Sequence, residues 1–94
     1  MNDQALNQQS LHIVNEKGLH ARASAKYVEV VEGFDARVEV EKDGMSVSGD
    51  SIMGLLMLGA SKGTSIVVRT SGAQAGALAD ALAELVRNRF GEDF

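Results

Sequence analysis

The sequence predicts an open-faced α/β sandwich with the element order β-α-β-β-α-β-α. Three observations lead there. Segments of alternating polar and apolar residues interleave with segments whose apolar residues recur at helical spacing. An Asp43-Gly44 pair separates two alternating runs and marks a hairpin. The last long segment carries a single apolar stripe, suited to lying on one face of a sheet and leaving the other face wet. A chain of 94 residues is one domain, residues 1–94, with room for one modest core and none for an enclosed substrate chamber.

In order along the chain, residues 1–9 are polar, lack an apolar signal core and read as a flexible leader. Ser10 to Val14 is the first strand, with Leu11 and Ile13 on one face and His12 on the other. Gly18 marks a turn. From His20 onward Ala21, Ala23, Ala25, Tyr27, Val30 and Val31 favour a helix, and Gly33 is expected to stop it in a left-handed conformation. Ala36, Val38 and Val40 alternate with charged residues to give a strand, and Met45 and Val47 give its hairpin partner. Ser51 caps a short apolar helix, "IMGLLML", which ends at Gly59. "TSIVVRT" is the next strand. The last helix is expected over Gln74 to Phe90, with Ala75, Leu78, Ala79, Leu82, Leu85 and Val86 on its stripe and Arg87 and Arg89 near its end. Residues 91–94, "GEDF", read as a polar tail.

Composition excludes several functions. The net charge of −4 and the lack of a basic block argue against nucleic-acid binding, which needs a basic face to displace counterions. One tyrosine and three phenylalanines make a poor base-stacking platform. With no cysteine, there is neither a disulfide framework nor a thiolate metal site, and the separation of the two histidines does not suit zinc. No apolar run is long enough to span a membrane. The reading is of a cytoplasmic monomer that needs no cofactor and no metal.

The chemistry centres on "NEKGLHARASAK". If a helix begins at Ala21, His20 stands at its N-cap, and the unbonded amides of the first turn face its ring with the positive end of the helix dipole behind them. That is an anion site. Arg22 adds a fixed charge and a planar donor fork. An imidazole nitrogen is a good nucleophile near neutral pH, and its phosphoryl adduct is labile enough to pass on. The pattern therefore suits a covalent phosphoryl stop in which His20 takes the group and the first-turn amides and Arg22 hold its oxygens. Spacing alone leaves an ordinary surface histidine beside an arginine as the alternative. No Asp or Glu stands near His20 in the sequence at triad or metal spacing.

"GLHARASAKYVEVVEGFDARVEV" and "SIMGLLMLGASKGTSIVV" resemble the histidine-containing phosphocarrier protein (HPr) family of the phosphoenolpyruvate-dependent phosphotransferase system, from about Leu11 to Phe90. The resemblance implies an α+β fold, a βαββαβα open-faced sandwich whose four-stranded antiparallel sheet is covered on one face by three helices. It implies that His20 is phosphorylated on Nδ1 by enzyme I and donates to a IIA-type protein, with Arg22 beside the phosphohistidine and the Ala21 and Arg22 amides as phosphate donors. It also implies that Ser51 matches the serine modified by HPr kinase/phosphorylase. Two departures stand out. The family commonly reads H-x-R-P, whereas Ala23 follows Arg22, and proline there suits a first helical turn without taking part in the chemistry. The outer face of the first helix carries Glu29 and Glu32 where sugar-branch members often have lysines, and Lys17 stands where they often have asparagine. Together with "FDA" and "RFGEDF", these make the chain look like the nitrogen-branch or alphaproteobacterial type.

Ser51 has a structural role as an N-cap regardless of modification, worth about 1 kcal/mol. Phosphate there would add charge and bulk to a docking face without unwinding the helix. "IMGLLML" is too apolar to bury on one side. Leu55 and Leu58 are expected in the core, while Ile52, Met53, Leu56 and Met57, with Ala25 and Glu29, are candidates for partner docking. The leading reading is thus a phosphocarrier without turnover catalysis of its own. The alternative is a regulatory module that binds an anionic metabolite or docks proteins without covalent chemistry.

Overall fold

A computed structural model describes residues 5–94 of the chain. The elements are β1 (Ala5–His12), α1 (Ala21–Glu32), β2 (Arg37–Lys42), β3 (Met45–Ser48), α2 (Ile52–Met57), β4 (Ser65–Gly72) and α3 (Ala75–Arg87), followed by a 3₁₀ turn over Arg89–Gly91. The four strands form one sheet in the order β1-β4-β2-β3. Each neighbouring pair is antiparallel, with Leu11 opposite Ile66, Val68 opposite Val40 and Val40 opposite Val47. This is the α+β open-faced sandwich the sequence suggested.

The two faces of the sheet divide by residue type. Leu11 of β1, Val38 and Val40 of β2, and Ile66 and Val68 of β4 are buried with Ala23, Tyr27 and Val31 of α1, Leu55 of α2, and Leu78, Leu82 and Val86 of α3. The other face is a ladder of polar side chains. Arg69 donates to Gln8 at 3.0 Å and reaches the Glu41 carboxylate at 2.7 Å. Tyr27 is fully enclosed and its hydroxyl has no hydrogen-bond partner among the described residues; burial pushes its ionisation well above the usual phenol range.

Four expectations change. The first strand starts at Ala5, so residues 5–9 belong to the sheet, and residues 1–4 lie outside the described residues. The missing apolar alternation has a cause. Gln9 is half-buried and donates to the Ala79 carbonyl of α3 at 2.8 Å, so the inward-facing residue of this part of the strand is polar. Gly33 does end α1, but at φ −81°, ψ −2°, with its amide donating to Val30 O at 3.1 Å. The last turn tightens in the 3₁₀ manner and needs no left-handed residue. The last helix stops at Arg87. Arg89 (φ 58°) and Phe90 (φ 55°) then turn left-handed, which drives Phe90 into the core with no exposed surface. Residues 91–94 are the fourth change, because this reversal returns them to the head of α1.

Candidate functional site

The turn before His20 is clamped to the connection between α2 and β4. Ile13 N donates to Thr64 O at 2.8 Å, Gly63 N to Ile13 O at 2.9 Å, and Leu19 N to Ala60 O at 2.8 Å. Gly18 has φ +65°, and a Cβ there would stand 2.4 Å from the Ala60 carbonyl oxygen, so only glycine fits. Asn15 is fully buried beneath this turn, and its Nδ2 donates to Gly18 O at 2.8 Å.

His20 is the N-cap residue of α1, with extended backbone (φ −77°, ψ −176°) and a side chain that does not cap the helix. Ser24 N donates to His20 O at 2.8 Å as the first helical bond. The amides of Ala21, Arg22 and Ala23 precede it and face out of the helix end. Ser24 Oγ donates to Leu19 O at 3.2 Å, which ties the first turn to the residue before the histidine. Ala23 is fully buried, so the side chain that replaces the expected proline serves the core.

The ring of His20 is about a quarter exposed, and its Nε2 is paired with the Glu92 carboxylate. Glu92 also accepts from Asn15 Nδ2 at 3.0 Å through its other oxygen. Burial pushes the Glu92 carboxyl upward, but hydrogen bonds from Asn15 and His20, and the positive charges of His20 and Lys17, outweigh it and hold the group below its ordinary value. The end of the tail is fixed as well, since Glu16 N donates to Phe94 O at 2.9 Å. Residues 91–94, expected as a loose tail, thus form one wall of the site. A cleft of about 840 Å³ opens between this wall and α1, lined by His20, Arg22, Lys26, Lys17, Glu92 and Phe94 among others.

Neither Asn15 nor Glu92 was singled out from the sequence. Glu92 is far from His20 along the chain, and only the left-handed turn that buries Phe90 brings it back. The apolar Phe90 inside "NRFGED" was the available signal, because an apolar residue in a polar tail suggests an anchor.

The chemical consequence is an asymmetric imidazole. Nε2 is occupied by a carboxylate, while Nδ1 has no hydrogen bond among the described residues. Arg22 is exposed and makes no ion pair among the described residues, so its guanidinium is free to meet an anion. His20, Ala21 and Arg22 stand together at the head of α1. His12 lies away on β1, exposed, with Nδ1 3.2 Å from Ser65 Oγ.

The remaining candidates sit on neighbouring surface. Ser51 caps α2, its hydroxyl accepting from Gly54 N at 3.0 Å. Asp50 is turned away to accept from Ser48 Oγ at 2.5 Å. On α2, Leu55 is fully buried, and Leu58 just beyond it is nearly so; Met53 (69%) and Met57 (65%) are largely exposed, with Ile52 and Leu56 at the edge of the same surface. Ala25 and Glu29 are exposed on α1, which packs against α2. None of the apolar α2 residues lines the His20 cleft.

A family model described as the PTS HPr component phosphorylation site matches residues 7–88. The phosphocarrier protein HPr of Neisseria meningitidis is 46% identical over 84 residues, covering 89% of this chain and 94% of that protein. The phosphocarrier protein NPr of Escherichia coli is 37% identical over 86 residues, covering 90% and 96%. Among solved structures, the HPr of Thermoanaerobacter tengcongensis superposes with a TM-score of 0.89 at 34% identity, covering 94% of this chain and 99% of that one.

Proposed function

The chain belongs to the HPr family of phosphocarrier proteins of the phosphotransferase system, and from that premise we propose that it accepts a phosphoryl group on His20 Nδ1 from phospho-enzyme I, drawn ultimately from phosphoenolpyruvate, and donates it to IIA-type proteins. The observation that supports this most is the state of the ring. Nδ1 is unpartnered among the described residues at the head of α1, ahead of three first-turn amides, with the unpaired Arg22 guanidinium one helical position from Ala21. Nucleophile and anion site coincide, and the site is open enough for another protein to reach it.

The protein is a carrier in this scheme, not a turnover catalyst, and works in the cytoplasm. It holds the phosphoryl group through dispersed amide bonds and one arginine, which suits passage more than storage. The α2 surface of Ile52, Met53, Leu56 and Met57, flanked by Ala25 and Glu29, would meet the donor and acceptor proteins. Flexible thioethers suit a surface that serves several partners. Ser51 at the base of that surface would be the regulatory site for an HPr kinase/phosphorylase. Both HPr and NPr carriers resemble the chain, and Glu29 and Lys17 favour the nitrogen branch through altered partner charge.

The test is incubation with phosphoenolpyruvate, magnesium and a competent enzyme I, followed by intact mass measurement. Wild type should gain one acid-labile, base-stable phosphoryl group and a His20→Ala chain none. A wild-type chain that stays unlabelled would point to non-covalent anion binding at the same helix end.

A further inference from the structure

We propose that Glu92 is the positioning residue for phosphoryl transfer at His20: its carboxylate holds the proton on Nε2, so that Nδ1 is presented bare and the ring is stabilised when it becomes cationic. This rests on the carrier reading and adds a role for the carboxy-terminal segment.

Three features of the structure converge on this carboxylate. Phe90, fully buried behind a left-handed turn, anchors the segment that carries it. Asn15, also fully buried, donates Nδ2 to both Gly18 O (2.8 Å) and Glu92 Oε1 (3.0 Å), so the turn before the histidine and the carboxylate share one fixed donor. The second carboxylate oxygen faces Nε2 of His20. A surface carboxylate that met the histidine by chance would have no buried asparagine holding its other oxygen.

The step balances without any proton leaving the ring. The Nδ1 lone pair attacks phosphorus while the bond from phosphorus to the donor's own nitrogen breaks, its electron pair staying with the donor. The product carries the phosphoryl group on Nδ1 and the original proton on Nε2, so the ring bears a positive charge next to the Glu92 carboxylate. On donation the Nδ1–P pair returns to Nδ1, and the ring leaves as the same neutral Nε2–H tautomer. A charge-assisted hydrogen bond is stronger than a neutral one, so the carboxylate favours the phosphorylated ring over the free one.

The test uses the full chain with two variants. In ¹⁵N spectra of the imidazoles at a pH where the ring is neutral, wild-type His20 should be in the Nε2–H form. Glu92→Ala should raise its Nδ1–H share, and exposed His12 should serve as an unmoved internal control. Glu92→Gln keeps the shape and removes the charge. At equilibrium with phospho-enzyme I its phosphorylated-to-free ratio should fall about fivefold. An unchanged ratio in folded Glu92→Gln, or an unchanged His20 tautomer in Glu92→Ala, overturns the role of Glu92 while wild-type labelling leaves the carrier reading standing. Failure of the wild-type chain to be labelled overturns both.

Discussion

Gly18 and Ala60 meet backbone to backbone: a Cβ on Gly18 would lie 2.4 Å from the Ala60 carbonyl oxygen and 2.8 Å from the Cα of Ser61. The contact is made by main-chain atoms, which cannot rotate away, and it seats the turn that ends in His20. Gly18→Ala therefore meets both a positive φ of 65° and a steric clash. The expected cost is about 2–4 kcal/mol in urea unfolding, the sum of a left-handed non-glycine residue and an overpacked contact. Because Leu19 N bonds to Ala60 O, the relaxation that removes the clash must also shift the residue beside His20. Phosphoryl acceptance should fall even at temperatures where the variant stays folded.

Ser51 separates capping from regulation. Ser51→Ala removes the acceptor of the Gly54 amide, which should cost about 1 kcal/mol of stability. Ser51→Asp keeps an acceptor at the N-cap and places a negative charge where the helix dipole favours it. Its stability should stay close to wild type in the same denaturation assay. Its rate of phosphoryl acceptance from enzyme I should nevertheless drop, because the charge stands next to the exposed Ile52 and Met53. An Asp variant that accepts phosphate at the wild-type rate would refute regulation by charge on the docking face.

Phe90 couples the core to the site. Truncating a fully buried phenylalanine costs about 3–5 kcal/mol. Phe90→Ala should lower the denaturation midpoint accordingly. Phe90→Leu keeps most of the buried volume and should cost much less. If Phe90 fixes the tail, even the folded Phe90→Leu protein should show weakened protection of the Glu16 amide, which donates to Phe94 O, in hydrogen exchange.

How much of this was written legibly in the sequence depends on which residues signal by type. The alternation in Val38 and Val40, the Asp43-Gly44 hairpin and the α3 stripe are local patterns, and each element appears where its pattern lies. His20 and Arg22 were singled out because a helix start can hold an anion, and the family resemblance raised that reading above an ordinary surface histidine; the structure places both at the head of α1. Gln9 hid the first half of β1, since its inward partner is a carbonyl of α3 that no local pattern reveals. Phe90 and Glu92 were hidden for a different reason. Their positions depend on two consecutive left-handed non-glycine residues, a conformation that sequence propensity disfavours and only packing of the phenylalanine ring sustains.

The Glu92 carboxylate also sets a pH dependence whose sign can be worked out. In the folded chain its protonation is held below the ordinary value of 4.5, with burial opposing and the Asn15 and His20 hydrogen bonds and the charges of His20 and Lys17 prevailing. The unfolded chain loses these partners and binds the proton more readily, so between the two values the unfolded state carries more protons and stability rises with pH. The contribution of Glu92 is fully present above its ordinary value and is lost as pH falls through its folded one. Glu92→Gln cannot titrate and lacks this slope. Urea midpoints of the two proteins should therefore differ most above pH 4.5 and converge as the solution is taken well below it. A difference that stays constant across that range would mean that the carboxylate is not held by Asn15 and His20 in the folded protein.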